Sequence, residues 1–493
     1  MKSVDISYSP AAIKFRIQAA QTQARALLEN QSTSPEEAVT KYKRRYRRDP
    51  PAGFMEWVQF ALDHNSKFID NFDQINRYLA PYRTAEAQEI FRQLNEQTED
   101  WPYTRRVIVQ NGKMNTSRGY MYEGYWKQLL APFLPALPNT TLYMSTIDEP
   151  RILSKPGFQP ERIEFQDRAG QSIEHLVKDS CTQVPGELRR HLDDEKDVCK
   201  FSEPGKLHAL IKSPSTMSYT HSLIPILSFG RMSAFRDILI PCPCYFAHTL
   251  VESETMSFWD KKSAVYWRGS STGGRASKFN WKQGHRQRFV SFVQSLQNAA
   301  KTLSATRFFN GNVETPEDKQ IMLFKDVFDV HMGRYLQCER NGDKSACKDM
   351  ELEMGPASFE PEDTSQHYRY LFDLDGNSMS TRFYRLLSRK AVVLKQTWFE
   401  EWHDDRLIPW AHYIPVTMGM KEVPALINFL VNDPQGVQLS AEIAQAGSNW
   451  SQQVLRKIDM SIYVYRLLLE LRELYSPVDS LEGDNRQPTE AGL

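Results

Sequence analysis

The stretch Tyr266-Trp267-Arg268-Gly269-Ser270-Ser271-Thr272-Gly273-Gly274-Arg275 places an arginine and a run of glycine, serine and threonine directly after an apolar segment. A loop of this kind can turn main-chain N–H groups and hydroxyls toward an anion while a guanidinium fork sits beside them. The matching chemistry is the grip on a phosphate or diphosphate. The arrangement recurs in Tyr370-Leu371-Phe372-Asp373-Leu374-Asp375-Gly376-Asn377-Ser378-Met379-Ser380-Thr381-Arg382. Two such loops predict one diphosphate-linked ligand held from two sides.

The second loop reads as strand, turn and helix. Tyr370 to Leu374 is the strand, Ser380 or Thr381 stands near the N-cap, Arg382 falls in the first turn, and Ala391-Val392-Val393-Leu394-Lys395 returns as the next strand. A phosphate at this turn meets free N–H groups and the positive helix end, and ligands of open α/β sheets bind at the carboxyl ends of strands. Asp373 and Asp375 admit two readings. They are a D-x-D pair that bridges Mn²⁺ to a diphosphate, or Asp373 packs in the strand, Asp375 shapes the turn, and Arg382 compensates the charge without a metal. Asp148 ends the apolar run Leu142 to Ile147 and is either a general base facing the same crevice or a turn former. Of Arg286 and Arg288, which cannot share a helix face, at most one reaches a cleft. His221 and His285 are isolated and read as structural. The chain has no G-x-S-x-G elbow, P-loop, H-E-x-x-H or G-x-G-x-x-G motif, which lowers the hydrolase, kinase, metalloprotease and dehydrogenase readings.

The elements that must position these groups are those of an α/β protein. Helices are expected over 8–30, from Ser34-Pro35 onward, and over 54–98 with Phe54, Trp57, Phe60 and Ala61 facing a core. The basic run Lys41 to Arg48 reads as a solvated helix face. Beyond residue 100, short apolar runs alternate with helices: Arg106 to Val109, Leu142 to Ile147, Ile238 to Ile240, Val265 to Trp267, Tyr370 to Leu374 and Ala391 to Leu394. Residues 340–366 read as a surface loop, Pro424 to Val431 and Gln438 to Tyr475 as a closing helix pair, and 476–493 as a flexible tail. The aromatic residues Trp101, Tyr103, Tyr120, Tyr122, Tyr125 and Trp126 either stack sugars or fill the core.

With 493 residues, 41% hydrophobic and 12% aromatic, the chain is long enough for two or more domains with real cores. Its 61 basic and 61 acidic side chains cancel, which argues against bulk nucleic-acid or anionic-membrane binding. No apolar run approaches the roughly 18 residues of a membrane-spanning helix, and Met1 to Ser7 has no secretory apolar core. None of the six cysteines has C-x-x-C spacing. Cys181 with Cys199 and Cys338 with Cys347 each bracket a short polar loop and form disulfides, or all six are buried thiols. Sequons stand at Asn30, Asn115, Asn139 and Asn449 and lean toward a secretory lumen.

The segments YWRGSSTGG (266–274), YLFDLDGNSMSTRFYRLL (370–387) and VVLKQTWFEEWHDDRLIPWAHYIPV (392–416) together resemble glycosyltransferase family 90. This group holds fungal capsule-associated glycosyltransferases, β-1,2-xylosyltransferases among them, and animal protein O-glucosyltransferases. The likeness runs from about Arg45 to Tyr475, and RRDPPAGFMEWVQFA (47–61) and IDEPR (147–151) resemble the fungal branch. It implies a GT-B fold, two Rossmann-like halves facing across a cleft. The expected regions are an N-terminal helical region (1–100), an acceptor-side domain with the base (101–245), a donor domain (246–420) and C-terminal helices (421–475). It implies an inverting transfer of xylose or glucose from a UDP-sugar to a hydroxyl of a glycan or glycoprotein, with no bound metal or other cofactor. Asp148 matches the family's base, and Arg268 its diphosphate-contacting arginine. Gly376, Asn377, Ser378, Met379, Ser380, Thr381 and Arg382 match its donor-binding turn. With Gly269, Ser270 and Ser271 these are the expected donor contacts. The family works in the Golgi or endoplasmic reticulum lumen, whereas no anchor, signal or retention tetrapeptide is visible here. The alternatives are a metal-dependent GT-A transferase using Asp373 and Asp375, and a sugar-nucleotide-binding protein without catalysis.

Overall fold

The computed structural model describes residues 8–94, 99–119, 122–155, 163–183, 186–189, 195–247, 254–310, 316–339 and 342–475. Met1 to Ser7, Tyr120 and the tail 476–493 lie outside the described residues.

Twelve strands are described: β1 (Thr104–Gln110), β2 (Lys113–Thr116), β3 (Thr140–Ser145), β4 (Gln166–Asp167), β5 (Ser218–Tyr219), β6 (Ile226–Ser228), β7 (Ile238–Leu239), β8 (Lys262–Ser270), β9 (Phe328–Arg334), β10 (Tyr368–Leu374), β11 (Val392–Gln396) and β12 (Ile414–Pro415). They build two five-stranded sheets, β2-β1-β3-β6-β7 and β12-β11-β10-β8-β9, and a short β4-β5 pair. The first sheet is mixed, with β1 antiparallel to β2 and β3, and β3, β6 and β7 parallel. Every pairing in the second sheet is parallel. The fold is therefore mixed α/β with parallel sheets. Strands β10 and β11 are buried along nearly their whole length and have apolar runs without alternation, as strands covered on both faces require.

Numbered by its own strands, the second sheet has the doubly-wound order 2-1-3-4-5. The chain leaves β8 for β9 at the edge, then returns past β8 to lay down β10. In such a sheet the crevice opens at the carboxyl ends of the first and third strands. Here these are Arg268-Gly269-Ser270 and Leu374-Asp375-Gly376. The helix His285–Asn310 makes the β8-to-β9 crossover and packs on the sheet, Phe289 stacking on Phe372 at 4.0 Å.

The N-terminal helices form where expected, Pro10–Glu29 and Pro35–Tyr46, with Ser9 and Ser34 as side-chain N-caps. The span 54–94 holds three helices, and Phe54, Trp57 and Ala61 are buried. The last helix, Lys457–Tyr475, joins these elements to the first sheet. Trp57 Nε1 donates to the Ile462 carbonyl at 2.9 Å and Tyr463 Oη to the Leu239 carbonyl at 3.0 Å.

The basic run is a solvated helix face, as expected: Lys43, Arg44, Arg45 and Arg47 are exposed, Lys43 pairs with Asp49 and Arg45 with Asp73, and only Arg48 reaches a buried partner, Glu470. Two expectations change. Residues 340–366 contain the helix Ser345–Met354, whose Ala346, Met350 and Met354 line one buried stripe. The closing helix breaks at Leu455, where Asp459 accepts from the Arg456 N–H at 3.0 Å and restarts the chain as a new helix. Cys181–Cys199 and Cys338–Cys347 are disulfides, as is Cys242–Cys244, which spacing had not suggested. Trp101, Tyr125 and Trp126 belong to the core.

Candidate active site

A cleft of about 430 Å³ opens at the switch point. The second sheet supplies Arg268, Gly269 and Ser270 from the end of β8 and Gly376, Asn377, Met379, Ser380, Thr381 and Arg382 from the turn after β10. The first sheet supplies Asp148, just past β3. Residues singled out from three distant segments thus meet in one place, Ser271 and Ser378 excepted.

Asp148 is open to the cleft and ringed by protein on its other sides. This partial loss of water raises its carboxyl above the ordinary range, and the nearby Asn377 side chain opposes the rise. Asn377 lines the same cleft from the turn of the other sheet. Next to it, buried Glu149 accepts from Ser215 Oγ at 2.9 Å and the Thr216 N–H at 3.1 Å. Burial, and next among the raising effects the charge of Asp148, push its carboxyl up to about 7.

Three of the arginines that line the cleft, Arg268, Arg382 and Arg286, are held in different ways. Arg268 donates from Nη2 to Asp329 and Glu360, both at 2.6 Å, and lies over the Tyr266 ring. Its charge is already balanced in the free protein. Arg382 caps both strand ends, with Nη1 on the Arg268 carbonyl at 2.8 Å and Nη2 on the Leu374 carbonyl at 3.2 Å. Gly269 makes this approach possible, since a Cβ there would stand 2.9 Å from Arg382 Nη1. Arg286 bonds the Asp375 carbonyl through Nε at 2.7 Å and the Ser270 carbonyl and Thr272 Oγ1 through Nη1 at 2.9 and 2.8 Å. Burial and then the charge of Arg382 push its guanidinium down to about 9. Two guanidinium groups bound mainly to carbonyls leave a positive field at the cleft floor.

Arg286 and Arg288 divide as the helix spacing requires. Arg286 reaches the cleft, while Arg288 donates to the Leu207 and Met418 carbonyls. His285 is buried, with Nε2 2.7 Å from the Asp375 carbonyl, and His221 Nδ1 sits 2.7 Å from the Leu153 carbonyl. Both are structural.

Two expected contacts are placed elsewhere. Ser271 is absent from the cleft wall and buried. Its hydroxyl donates to the Leu336 carbonyl at 2.8 Å and accepts from the Leu336 N–H at 2.7 Å, so it ties β8 to the end of β9. Ser378 is also buried away from the cleft. Neither aspartate of the D-x-D pair lines the cleft. Asp373 accepts from Ser380 Oγ and faces Arg382 and Lys395 at 3.5 and 3.7 Å. Asp375 accepts from the Trp398 N–H at 3.1 Å and lies 3.3 Å from His208 Nε2. Asp373 lies within β10 and Asp375 just past its end, where the strand's alternation no longer applies, and the two carboxylates take different partners. Sequence reasoning missed Trp267, Arg385 and Glu360, which line the cleft. Glu360 had no signal, since it becomes a wall only when the segment before β10 folds over β8.

An α/β enzyme with an anion-directed cleft at a doubly-wound switch point is the class that this geometry defines. The family model described as glycosyl transferase family 90 matches residues 209–478, more than half of the chain, and the chain belongs to that family and is a glycosyltransferase. Asp148 lies before the matched span. Among its relatives, protein O-glucosyltransferase 1 of Homo sapiens is 27% identical over 312 residues, 62% of this chain and 67% of that protein. The Rattus norvegicus protein of the same name is 26% identical over 331 residues, 65% and 70% of the two chains. The O-glucosyltransferase rumi homolog of Aedes aegypti is 27% identical over 249 residues, 50% and 55%.

Proposed function

We propose that the chain moves glucose, or xylose as the second donor reading, from a UDP-sugar to a hydroxyl of a protein or glycoprotein acceptor, with inversion and with Asp148 as general base. The observation that carries this is the placement of Asp148 on one rim of the cleft, opposite the turn that holds Asn377 on the other rim. In the reaction the acceptor O–H gives its proton to Asp148, the acceptor oxygen forms a bond to the anomeric carbon, and the bond to the diphosphate breaks with its electron pair leaving on UDP. The transition state is oxocarbenium-like and its growing negative charge lies on the diphosphate. Arg382, Arg286 and the turn Gly376 to Thr381 supply the opposing charge and N–H groups.

A metal-free reading is supported by the commitment of both Asp373 and Asp375 to protein partners. The GT-B reading and its division near residue 245 are supported by the two sheets whose strand ends meet at the cleft. The names of the relatives, protein O-glucosyltransferases, favour a protein acceptor over a free glycan. A secretory lumen is supported by three disulfides. Among the described residues no helix is long and apolar enough to cross a membrane.

Asp148→Asn tests the reading. Transfer from UDP-glucose falls about 10²–10⁴-fold while UDP affinity by calorimetry stays within about twofold. Parallel loss of both would remove Asp148 from the chemistry, and unchanged transfer would leave a binding protein. The base must be ionised to act, and its carboxyl is raised. The acid limb of kcat/KM therefore lies above the ordinary carboxylate range, with activity rising as pH rises through it.

A further inference from the structure

Asp148 opens a short segment that is pinned at its far end. The Arg151 and Ile152 N–H groups donate to the Asp237 carboxylate, both at 2.8 Å, and the Thr220 N–H bonds the Arg151 carbonyl at 3.0 Å. Glu149 lies between this anchor and Asp148. It is buried, and its side chain makes a second tie: Oε1 accepts from Ser215 Oγ at 2.9 Å and from the Thr216 N–H at 3.1 Å. Ser215 and Thr216 lie between the helix Ala209–Lys212 and β5.

The segment that holds Ser215 is fastened in turn to the second sheet. The Arg275 N–H bonds the Ser213 carbonyl at 2.6 Å, Ser213 Oγ donates to the Arg275 carbonyl at 2.9 Å, and Arg275 Nη2 reaches the Ser215 carbonyl at 3.1 Å. Arg275 belongs to the turn after β8, whose Gly269, Ser270 and Thr272 line the cleft. A path of hydrogen bonds therefore leads from Glu149, the residue after the base, to the turn beside the donor cleft. Such a path bears on rate, because a misplacement of about 1 Å between reacting groups costs about 10²-fold. Asp148 stands on one sheet and the diphosphate loops on the other, so the register between the sheets sets the distance from base to acceptor oxygen to anomeric carbon.

We propose that Glu149 is a positioning residue for the transfer, which holds Asp148 at its working distance from the bound UDP-sugar by tying the base segment to Ser215 and Thr216. This rests on the reading of Asp148 as general base. Glu149 serves as an acceptor rather than as a charge. Burial, and after it the charge of Asp148, raise its carboxyl to about 7, so below that pH it is mostly protonated. A protonated carboxyl keeps a carbonyl oxygen that can take both bonds, and a carboxamide offers the same oxygen.

The test is a double-mutant cycle on the full chain, read by kcat with UDP-glucose and by calorimetric UDP affinity. Glu149→Ala lowers kcat about 10–10²-fold while UDP affinity stays within about twofold. A residue that only stabilised the fold would lower the melting temperature and leave kcat of the folded protein unchanged. Glu149→Gln, which keeps the acceptor oxygen, recovers most of the loss. In the Asp148→Asn background Glu149→Ala adds little, because a base that is absent cannot be misplaced. Unaltered kcat in Glu149→Ala, an equal loss in Glu149→Gln, or a full further loss in the Asp148→Asn background would overturn the proposal and leave the base reading standing. Unchanged transfer in Asp148→Asn alone would remove both. If Glu149→Ala does not fold, Ser215→Ala, at a half-buried position, removes one of the two donors from the other side and decides: a lower kcat at unchanged UDP affinity supports the tie, and an unchanged kcat ends it.

Discussion

The turn after β8 and the turn after β10 lie side by side at the switch point and both hold arginine, glycine and serine, yet their polar groups go to different partners. In the first, the Ser271 N–H bonds the Arg334 carbonyl, the Gly273 N–H bonds Gln337 and Asn377, the Arg275 N–H bonds the Ser213 carbonyl, and the Ser271 hydroxyl bonds Leu336. Its glycines admit neighbours: a Cβ on Gly273 would stand 2.4 Å from the His285 ring, and one on Gly274 would stand 2.6 Å from the Ser213 carbonyl oxygen. In the second, Gly376, Asn377, Met379, Ser380, Thr381 and Arg382 face the cleft. The nearest neighbour of a Cβ on Gly376 is Arg286 Nη2 at 3.4 Å. One turn is a joint that closes the fold, and the other is left open for a ligand. Loops that carry the same residue types are distinguished by where their N–H groups go.

The largest expected effect concerns the arginine of the open turn. Arg382→Ala removes the guanidinium between the two strand ends. It should lower kcat/KM about 10²–10³-fold and weaken UDP binding with it. Arg382→Lys keeps the charge but loses the fork, so it should fall between the two. Transfer assays with calorimetric UDP titration check this. Unchanged UDP affinity in Arg382→Ala would mean that the open turn does not hold the diphosphate.

Next in size is the contrast between the glycines. Gly273 sits at φ +130° with His285 in the place a side chain would take. Gly273→Ala should therefore cost about 2–4 kcal/mol of stability from backbone strain and overpacking together. Gly376→Ala should stay within about 0.5 kcal/mol, as for a substitution with room around it, while its methyl obstructs the approach of UDP. Denaturant unfolding and UDP titration of both variants measure the two quantities. Equal stability losses would erase the distinction between the turns.

Much of this was legible in the sequence because local chemistry wrote it. Tyr370 to Leu374 with a polar turn, a helix and Ala391 to Leu394 fixed a strand-turn-helix-strand unit, and the two arginine-bearing loops do converge on one cleft. What the sequence hid depends on contacts between distant segments. Strand β9 has the alternation Phe328, Val330, Met332 among polar residues, a short pattern hard to tell from a helix edge. Arg268 read as a free anion ligand because Asp329 and Glu360, its partners, lie far along the chain. The D-x-D pair read as a metal motif because Lys395, His208 and Trp398, which take up the two carboxylates, come from three other elements.

Ser271 gives the smallest and sharpest test, because it sits one residue from the cleft-lining Ser270 and Thr272 and yet faces away. Its hydroxyl is the only described side-chain partner of the Leu336 main chain, donating to the carbonyl and accepting from the N–H. Ser271→Ala leaves both groups of Leu336 without that partner and should cost about 1–2 kcal/mol of stability. Because no atom of the cleft wall is lost, UDP affinity and kcat of the folded protein should match the unaltered enzyme within about twofold, about 0.4 kcal/mol. Ser380→Ala is the counterpart in the open turn. Ser380 holds Asp373 beside Arg382, so its loss frees that carboxylate to draw on the guanidinium, and UDP affinity should fall. If Ser271→Ala weakened UDP binding as much as Ser380→Ala, the closed turn would reach the donor after all, and the assignment of the two turns to folding and to binding would fail.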